Sequence, residues 1–558
     1  MTMTNHFLTA LAAAVVSLAV VPASALAQTS EVVMADVARQ ADVLLKSSYP
    51  ADGPGSALIV ARGGEVIYAG AQGLADIETR RPITADTPFL LGSITKQFTA
   101  AVVLQLVAEG KMSLDDPLSR FFPDWPAPTS GATVRQFLNH TSGLQDFSKV
   151  PGWIAANRDK DWTTEQLLDL FRKLPAKSEP GTQWEYNNGG YVMLGAIVEK
   201  MTGKPWHEVI AERIARPLGL TTLDYADADQ MPKLPVGYSD EDGRPVAVRR
   251  PQMSIAHAAG GIAASVTDIA KWADALHNGR VVRPDLYREM TSPARLADGS
   301  TEPYGFGLRL QKVRGRQALV HGGSGAGLDT DSIYIPAEKL FVAVFANSDD
   351  PATDPSLLTR RLSALALGQP IPTFTPAKVE MPAVEPLFGA YAPDSGPPFL
   401  FSAEDGKLYM SRGGSRMEAF AAGGDRFFFG PDRLLWVSFV RKPDGAHVME
   451  LHEPDSVEPE TAVRTGPVPP QLALPEAVLE SYAGIYKTET VTVTVAVSED
   501  GKLTVTPPDG EAMVLRPTSQ TEFRIDGTPM RVVFHPENGV VNRFTMYRGA
   551  RELHGVRQ

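Results

Sequence analysis

The alternation of apolar and polar residues predicts a β-hairpin near each end of the first two thirds of the chain. Two β-prone runs flank Gly63-Gly64 within residues 57–69, and a similar pair within residues 332–347 turns at 336–339. Between the hairpins, apolar residues at helical spacing predict helices over residues 95–109, 191–201 and 266–276. Helices enclosed by hairpins favour an α+β fold over residues 28–370, with an antiparallel sheet and helices packed on it.

The pattern changes to short alternating strands after a proline-rich linker at residues 371–386. Gly-x-Tyr at 389–391 recurs at 484–486, and Glu-Asp-Gly-Lys-Leu at 404–408 recurs at 499–503. Both offsets are 95 residues (484 − 389 = 95 and 499 − 404 = 95), which indicates an internal repeat. The repeat predicts two all-β modules, 387–466 and 476–558, joined by a second linker at 467–475. Each is expected to form a small antiparallel barrel, because closure removes exposed strand edges.

The N-terminal segment has the pattern of a secretory signal peptide. Residues 1–27 contain no Lys, Arg, Asp or Glu, residues 7–21 are largely apolar, and Ala25-Leu26-Ala27 matches a cleavage site. We therefore expect cleavage before Gln28 and a periplasmic or secreted bacterial product. A membrane anchor is the alternative, but a spanning helix needs about 20 apolar residues, so stable membrane insertion is not expected. One departure from the usual pattern is that no basic residue precedes the apolar stretch.

Composition narrows the function classes further. The chain carries 53 Lys and Arg against 65 Asp and Glu, a net charge of −12, and shows no basic run. This balance argues against nucleic acid as a partner. The absence of cysteine excludes disulfides, thiolate metal sites and a cysteine nucleophile. A hydrophobic content of 43% excludes a mainly disordered chain.

Three short motifs carry residue types that suit nucleophilic catalysis. Ser93 and Lys96 are three residues apart, so on a helix they share a face and the Lys96 Nζ can reach the Ser93 Oγ. Tyr186 is the only one of 14 tyrosines followed two positions later by Asn, here Asn188. His321-Gly322-Gly323-Ser324 places two glycines where a substrate backbone could approach closely. Each motif alone has a structural alternative: a helix cap, a buried tyrosine or a glycine-rich turn.

Taken in order, these motifs resemble those of the serine β-lactamase and penicillin-binding protein family. Leu-Asn-His-Thr-Ser-Gly-Leu at 138–144 and the stretch at 259–270 are also similar to family segments, so the resemblance covers residues 50–350. It is strongest for class C β-lactamases, D-Ala-D-Ala carboxypeptidases and related esterases. We interpret 138–144 as a structural turn rather than a second active site. Many members carry Lys-Thr-Gly where this chain has His321-Gly322-Gly323, which argues against strong β-lactamase activity.

The resemblance implies a fold and a set of roles. The fold would be an antiparallel sheet flanked by helices, with a helical subdomain, followed by the two β modules. Ser93 would be the nucleophile and would form an acyl-enzyme, while Lys96 and Tyr186 would move protons; which of the two is the acylation base stays open. The backbone N–H groups of Ser93 and Ser324 would hold the oxyanion. Substrate binding is expected from the remaining motif residues, which are Asn188, His321, Gly322, Gly323 and Ser324. No metal or organic cofactor is expected.

The chain is therefore expected to be an exported serine hydrolase acting on a small molecule or a short peptide, foremost one containing D-amino acids. A catalytic domain followed by two β modules is similar to D-aminopeptidases, and the same group includes peptidases that cut linear microcystin-type peptides, which are a further candidate substrate. The alternatives are a carboxylesterase, a weak β-lactamase and a non-hydrolytic penicillin-binding sensor or wall-binding protein. Because proline-rich joints are stiff, we expect the β modules to pack beside the Ser93 cleft and narrow it.

Overall fold

The computed structural model describes residues 23–558 except 151, 228, 414, 431–432, 444, 471, 489–490, 509, 526–527, 529, 538–539 and 549–550. The predicted signal peptide falls largely on residues 1–22, which lie outside the described residues. The first described helix begins at Ala23 and runs through the predicted cleavage site. In the part of the chain that is described, no helix combines the length and the apolar character needed to cross a membrane.

The first unit alternates helices and strands. Its helices are α1 (Ala23–Ser48), α2 (Thr95–Ala108), α3 (Leu118–Phe121), α4 (Val134–Leu138), α5 (Trp153–Asn157), α6 (Thr164–Lys173), α7 (Asn188–Thr202), α8 (Trp206–Ile210), α9 (Arg216–Leu218), α10 (Val266–His277), α11 (Pro284–Met290) and α12 (Pro355–Ala366). Its short strands are β3 (Leu74–Asp76), β4 (Arg81–Pro82), β5 (Phe89–Leu90), β6 (Asp224–Tyr225), β7 (Tyr238–Glu241), β8 (Arg244–Ala247), β9 (Ile262–Ala264), β10 (Ala294–Arg295) and β11 (Thr301–Glu302). Single turns of 3-10 helix include Gly92–Ile94, Phe147–Lys149 and His257–Ala259.

Six longer strands form one antiparallel sheet in the order β12-β13-β14-β15-β1-β2. They are β1 (Ser56–Arg62), β2 (Glu65–Gln72), β12 (Arg309–Val313), β13 (Arg316–Gly325), β14 (Leu328–Ile335) and β15 (Leu340–Ala346). Strands β1 and β2 form the first predicted hairpin, and β14 and β15 form the second. The predicted antiparallel sheet with helices is confirmed. Strands β1 and β15, which come from opposite ends of the unit, pair side by side within it.

The sheet is buried on both faces, which explains the continuous apolar run of β15. Ala343 and Phe345 pack into a core shared with α2, α7 and α10. Val342 and Val344 point the other way and pack under α1 and α12. Helix α2 lies inside the first of these cores, so even its polar residue Lys96 has no solvent-accessible surface. This placement removes the lysine from water and determines its chemistry.

Two closed eight-stranded antiparallel barrels follow, as the repeat predicts. The linker helix α13 (Met381–Val384) precedes barrel 1, and α14 (Glu476–Tyr482) precedes barrel 2. The strands of barrel 1 are β16 (Gly389–Pro393), β17 (Phe399–Glu404), β18 (Lys407–Arg412), β19 (Ser415–Ala421), β20 (Arg426–Phe428), β21 (Trp436–Arg441), β22 (His447–His452) and β23 (Glu460–Gly466). Those of barrel 2 are β24 (Gly484–Lys487), β25 (Thr492–Val497), β26 (Leu503–Thr506), β27 (Met513–Pro517), β28 (Glu522–Ile525), β29 (Arg531–Glu537), β30 (Val540–Arg548) and β31 (Arg551–Arg557).

The repeated Gly-x-Tyr motif is a core element in both barrels. Tyr391 and Tyr486 are fully buried. Each hydroxyl donates to the backbone carbonyl four residues earlier, at 2.6 Å to Leu387 and 2.8 Å to Tyr482. Each tyrosine thereby fixes the chain where it enters the first strand of its barrel.

Barrel 1 docks on the turn between β12 and β13. The backbone N–H of Arg314 donates to Pro454 O at 3.1 Å, and that of Gly315 donates to Asp455 O at 2.7 Å. The Arg314 guanidinium adds a bond of 2.6 Å to Ser456 O. Barrel 2 contacts barrel 1 through Glu404, which pairs with Lys502 and Arg516.

Candidate active site

Ser93 and Lys96 lie where strand β5 runs into helix α2. The 3-10 turn Gly92–Ile94 joins the two elements, and Gly92 adopts a positive φ of 53°. Lys96 lies in the first turn of α2, so its side chain points back over this turn, and its Nζ is 3.0 Å from the Ser93 Oγ. The i, i+3 geometry predicted from the sequence is present.

The Lys96 amine has three oxygen neighbours. Besides Ser93 Oγ, its Nζ contacts Asn188 Oδ1 at 2.9 Å and Ala259 O at 2.8 Å. The last two oxygens are carbonyl oxygens that only accept. An unprotonated amine would use its two hydrogens on these carbonyls and direct its lone pair at the Ser93 hydroxyl. The arrangement therefore suits a base that removes the proton of Ser93.

Burial makes the unprotonated state of Lys96 accessible near neutral pH. Loss of water around the amine lowers the pKa of Lys96 from 10.5 to about 7. The Asp146 carboxylate opposes this shift in pKa, and the Arg309 guanidinium reinforces it.

Asn188 is oriented from two directions. Asn187 caps helix α7 by accepting a bond from Gly190 N, so Asn188 begins the helix. The backbone N–H of Asn188 donates to Asp146 Oδ2 at 3.0 Å, and its side-chain Nδ2 donates to Ser148 Oγ at 3.2 Å. These bonds leave Oδ1 to accept from Lys96.

Tyr186 lies against the same amine. Its ring centroid is 4.9 Å from Lys96 Nζ and 5.5 Å from Arg309 Cζ. The hydroxyl is buried and forms no hydrogen bond that meets normal geometry with a described residue. The pKa of Tyr186 is raised above its ordinary value, chiefly by burial, while Ser93 and Arg309 act in the opposite direction. At neutral pH the residue is therefore a protonated phenol.

The ring of His140 packs against the ring of Tyr186. The residue adopts a positive φ of 66° and is buried, with its ring centroid 4.4 Å from that of Tyr186. Its Nδ1 accepts from Asn187 N at 3.1 Å. The segment at 138–144, interpreted from the sequence as a structural turn, thus packs against the ring of Tyr186 and supports it.

The His-Gly-Gly-Ser motif forms the end of strand β13 beside Ser93. A Cβ on Gly323 would lie 2.2 Å from Leu91 O and 2.7 Å from Ser93 N, so only glycine fits. Ser324 and Ser93 line the same cavity. Because Gly322 O is an acceptor, the His321 Nδ1 at 2.7 Å must donate to it, and Nε2 then accepts from the Tyr304 hydroxyl at 2.9 Å. Burial lowers the pKa of His321 to about 3, so the ring is neutral.

Two cavities meet at Ser93. The larger, of about 690 Å³, has a mainly apolar wall. That wall includes Phe147, Val150, Ile154, Val248, Met253 and Leu328. The smaller, of about 360 Å³, lies on the side of β13 and β14. It is lined by polar side chains, among them Tyr186, Arg309, Asp329, Asp331, Asp354 and Ser356.

The prediction that the β modules narrow the Ser93 cleft is wrong for the described residues. Every residue that lines either cavity belongs to residues 90–356. Barrel 1 docks at Arg314 and Gly315 instead. That turn is nine residues along β13 from Ser324, or about 30 Å away at the rise of a β-strand.

Sequence reasoning missed Asp146, Ser148, Arg309 and the acidic residues of β14. They lie in no motif, and pairing of β12, β13 and β14 places Arg309, Asp329 and Asp331 along the smaller cavity. Within the described residues, no group of three or more His, Asp or Glu side chains is placed to hold a metal ion.

The chain is similar in sequence and in fold to several known proteins. The family model described as "Beta-lactamase" matches residues 47–366. A D-aminopeptidase of Brucella melitensis is 31% identical over 387 residues, which is 68% of this chain and 69% of the relative. Among solved structures, a D-stereospecific amidohydrolase from Streptomyces sp. is 27% identical with a TM-score of 0.50, covering 60% of this chain and 99% of its own. An octameric penicillin-binding protein homologue from Pyrococcus abyssi is 25% identical with a TM-score of 0.53, covering 78% and 100%.

Proposed function

The chain belongs to the β-lactamase family and is a serine hydrolase, and from that premise we propose that it removes D-amino acids from short peptides or amides through a covalent Ser93 intermediate. The observation that carries the proposal is the environment of Lys96. A buried amine with two carbonyl acceptors and one serine hydroxyl as neighbours is arranged to remove the serine proton.

The same environment favours Lys96 over Tyr186 as the acylation base, a choice that the sequence leaves open. The pKa of Lys96 lies at about 7, whereas that of Tyr186 is raised. A base works best with a pKa near the working pH. Tyr186 is then the acid that protonates the leaving group.

The proposed reaction proceeds in two halves. Lys96 takes the hydroxyl proton as Ser93 Oγ adds to the substrate carbonyl carbon. Tyr186 gives its proton to the leaving amine as the C–N bond breaks, and Lys96 returns a proton to Tyr186. In the second half, water gives a proton to Lys96 and adds to the acyl carbon, and Lys96 returns that proton to Ser93 Oγ as the acyl C–O bond breaks.

The backbone N–H groups of Ser93 and Ser324 are the proposed donors to the developing oxyanion. The close approach of Gly323 to Ser93 N supports this assignment, because it brings the two chain segments together. A single donor of this kind contributes about 3–4 kcal/mol to transition-state stabilisation.

The substrate class is inferred from relatives and from the cavity. Proteins similar to this chain are described as D-aminopeptidases and as a D-amino acid amidase from Ochrobactrum anthropi, the latter 27% identical with a TM-score of 0.50. The larger, mainly apolar cavity next to Ser93 suits an apolar side chain. Export through the N-terminal signal peptide is part of the same proposal.

The test is hydrolysis by the full chain of the D- and L-phenylalanine p-nitroanilides, with p-nitrophenyl acetate and nitrocefin beside them. We expect continuous turnover of the D-anilide, at least about tenfold faster than that of its L-enantiomer. Ser93→Ala should lose all turnover, and Ser300→Ala, which alters an exposed serine, should keep it. A single burst with nitrocefin and no turnover of any other compound would instead show a penicillin-binding sensor.

A further inference from the structure

The larger cavity beside Ser93 carries a cation that the proposed catalytic steps do not use. Among the described residues that line this cavity, only Lys149 and Arg158 are charged, and none is acidic. This contrasts with the chain as a whole, whose net charge is −12. The inference drawn from the cavity rests on the proposed function and concerns which side chain the released D-amino acid carries.

The two cations differ in whether they have partners within the protein. The Lys149 Nζ donates to Glu185 Oε1 at 2.6 Å and to Tyr186 O at 2.7 Å, so its charge is already balanced. The Arg158 guanidinium forms no hydrogen bond or ion pair with a described residue, and its Nε is buried without a partner. Arg158 is therefore the cation of this cavity that is free to bind a ligand.

Local structure fixes Arg158 at the cavity wall. The residue follows the last residue of α5, and its carbonyl accepts from Gln252 N at 2.8 Å. This bond joins α5 to residues 251–256, most of which line the same cavity. The next residue, Asp159, pairs with Arg249 at 2.9 Å, so this neighbouring carboxylate is engaged by another arginine.

The rest of the cavity wall decides what kind of anion can reach this arginine. Ser93 and Arg158 line one space of about 690 Å³, and side chains such as Ile154 and Met253 give it a mainly apolar surface. A buried guanidinium nitrogen without a hydrogen-bond partner is unfavourable, and a carboxylate matches the planar guanidinium with two parallel hydrogen bonds. A ligand that suits both the wall and Arg158 therefore has an apolar stem that ends in a carboxylate.

We infer that Arg158 is a specificity-determining residue, which binds a carboxylate at the end of the side chain of the D-residue that Ser93 attacks. The side chain of that residue enters the larger cavity, with its stem against the apolar wall and its terminal group at the guanidinium. Substrates whose side chain ends in a carboxylate are then preferred over neutral ones of the same shape. Cationic side chains are disfavoured, because Lys149 and Arg158 both line the cavity.

The experiment compares, on the full chain, p-nitroanilides that differ only in the charge at the end of the side chain. D-Glutamate is paired with D-glutamine, and 4-carboxy-D-phenylalanine with 4-carbamoyl-D-phenylalanine, so that a short and a long stem are both covered. The readout is the ratio of kcat/KM for the carboxylate to that for the carboxamide. We expect the wild type to favour the carboxylate by about tenfold or more in at least one pair, the order of a hydrogen bond to a charged group.

Arg158→Met should bring that ratio to about one or below, because it removes the cation and keeps an apolar stem. Turnover of D-phenylalanine p-nitroanilide, which has no terminal charge, should stay within about twofold of the wild type. Thermal unfolding checks that the variant is folded.

Arg288→Met is the matched control, because it removes an exposed arginine of α11 that lines neither cavity, and its ratios should equal those of the wild type. A ratio of one for both pairs in the wild type, or an unchanged ratio in Arg158→Met, overturns the inference. An equal loss of D-phenylalanine anilide turnover in Arg158→Met does so too, since the residue would then only support the wall. If Arg158→Met does not fold, Arg158→Gln supplies the same comparison. Absence of wild-type turnover of every D-anilide would contradict the proposed function, whereas turnover with ratios of one contradicts this inference alone.

Discussion

Among single residues, Lys96 links burial most directly to chemistry. Its amine has no solvent-accessible surface, and its three neighbours are oxygens. An ammonium at this position is destabilised by the loss of water, so a substantial fraction of the Lys96 side chains carries a neutral amine near pH 7. Burial in α2 thus makes a base of a residue that is ordinarily a cation.

The pH dependence of kcat/KM should report this amine. Because Lys96 must be unprotonated to accept the Ser93 proton, kcat/KM should be low in acid and rise through pH about 7. Arg309→Gln removes a positive charge that lowers the pKa of Lys96, so the midpoint should move to higher pH. Arg316→Gln, at the far end of β13, should leave the midpoint unchanged. A profile without a transition near neutrality would exclude Lys96 as the titrating base.

Replacement of Lys96 by arginine separates a base from a fixed positive charge. Arginine stays protonated in proteins, so Lys96→Arg should be nearly as inactive as Lys96→Ala, with a loss of at least about a thousandfold in kcat/KM. Steady-state turnover of the D-anilide measures this, with thermal unfolding as the check on folding. Near-normal turnover in Lys96→Arg would show that Lys96 acts only through its charge.

At the scale of elements, the contact between β13 and the Gly92–Ile94 turn sets the geometry of the oxyanion site. Gly323→Ala would place its Cβ 2.2 Å from Leu91 O, and a backbone group cannot move aside as a flexible side chain does. We expect a loss of at least about a hundredfold in kcat, the order of one lost oxyanion donor. Gly131→Ala is the control, because a Cβ there meets nothing within 4 Å. Full activity in Gly323→Ala would refute the proposed oxyanion site.

Elements were predictable from sequence where local forces decide them. The hairpins β1–β2 and β14–β15 follow from turn residues between β-prone runs. The boundaries were less accurate: α7 begins at Asn188 rather than Tyr191, because the Asn187 side chain caps it. Helix α10 begins at Val266 as predicted, and its N-cap is Ser265, whose side chain accepts from Asp268 N. A capping bond extends a helix beyond its apolar pattern.

The contacts of the active site were likewise predictable only where they are local in the sequence. Ser93 and Lys96 are local neighbours on one turn, so their spacing alone indicates the contact. Arg309 and Asp331 come to the smaller cavity only through the pairing of three strands, which no local pattern specifies. Residues that strand pairing brings together are therefore the harder part of the site to predict.

At the scale of the whole molecule, the barrels were predicted correctly and their placement was not. The internal repeat and the alternating strands indicate two closed modules. The position of barrel 1 depends on contacts of Pro454–Ser456 with the turn at Arg314 and Gly315, and on the apolar contact of Leu434 with Ala364 of α12. Such docking is decided by shape and by backbone groups far apart in the sequence, so the repeat carries no information about it.

This placement separates the stability of domain docking from catalysis. Arg314→Ala removes the bond of 2.6 Å from the guanidinium to Ser456 O, in a partly exposed position where one such bond contributes about 1 kcal/mol. We expect a small fall in unfolding temperature and faster cleavage of the linker at 371–386 by added protease. Because Ser93 lies about 30 Å from the turn, kcat/KM for every substrate should stay within about twofold of the wild type. Arg316→Ala, two residues along and paired with Glu338 of the same domain, should not expose the linker. A change in substrate preference in Arg314→Ala would show that barrel 1 acts on the Ser93 cleft after all.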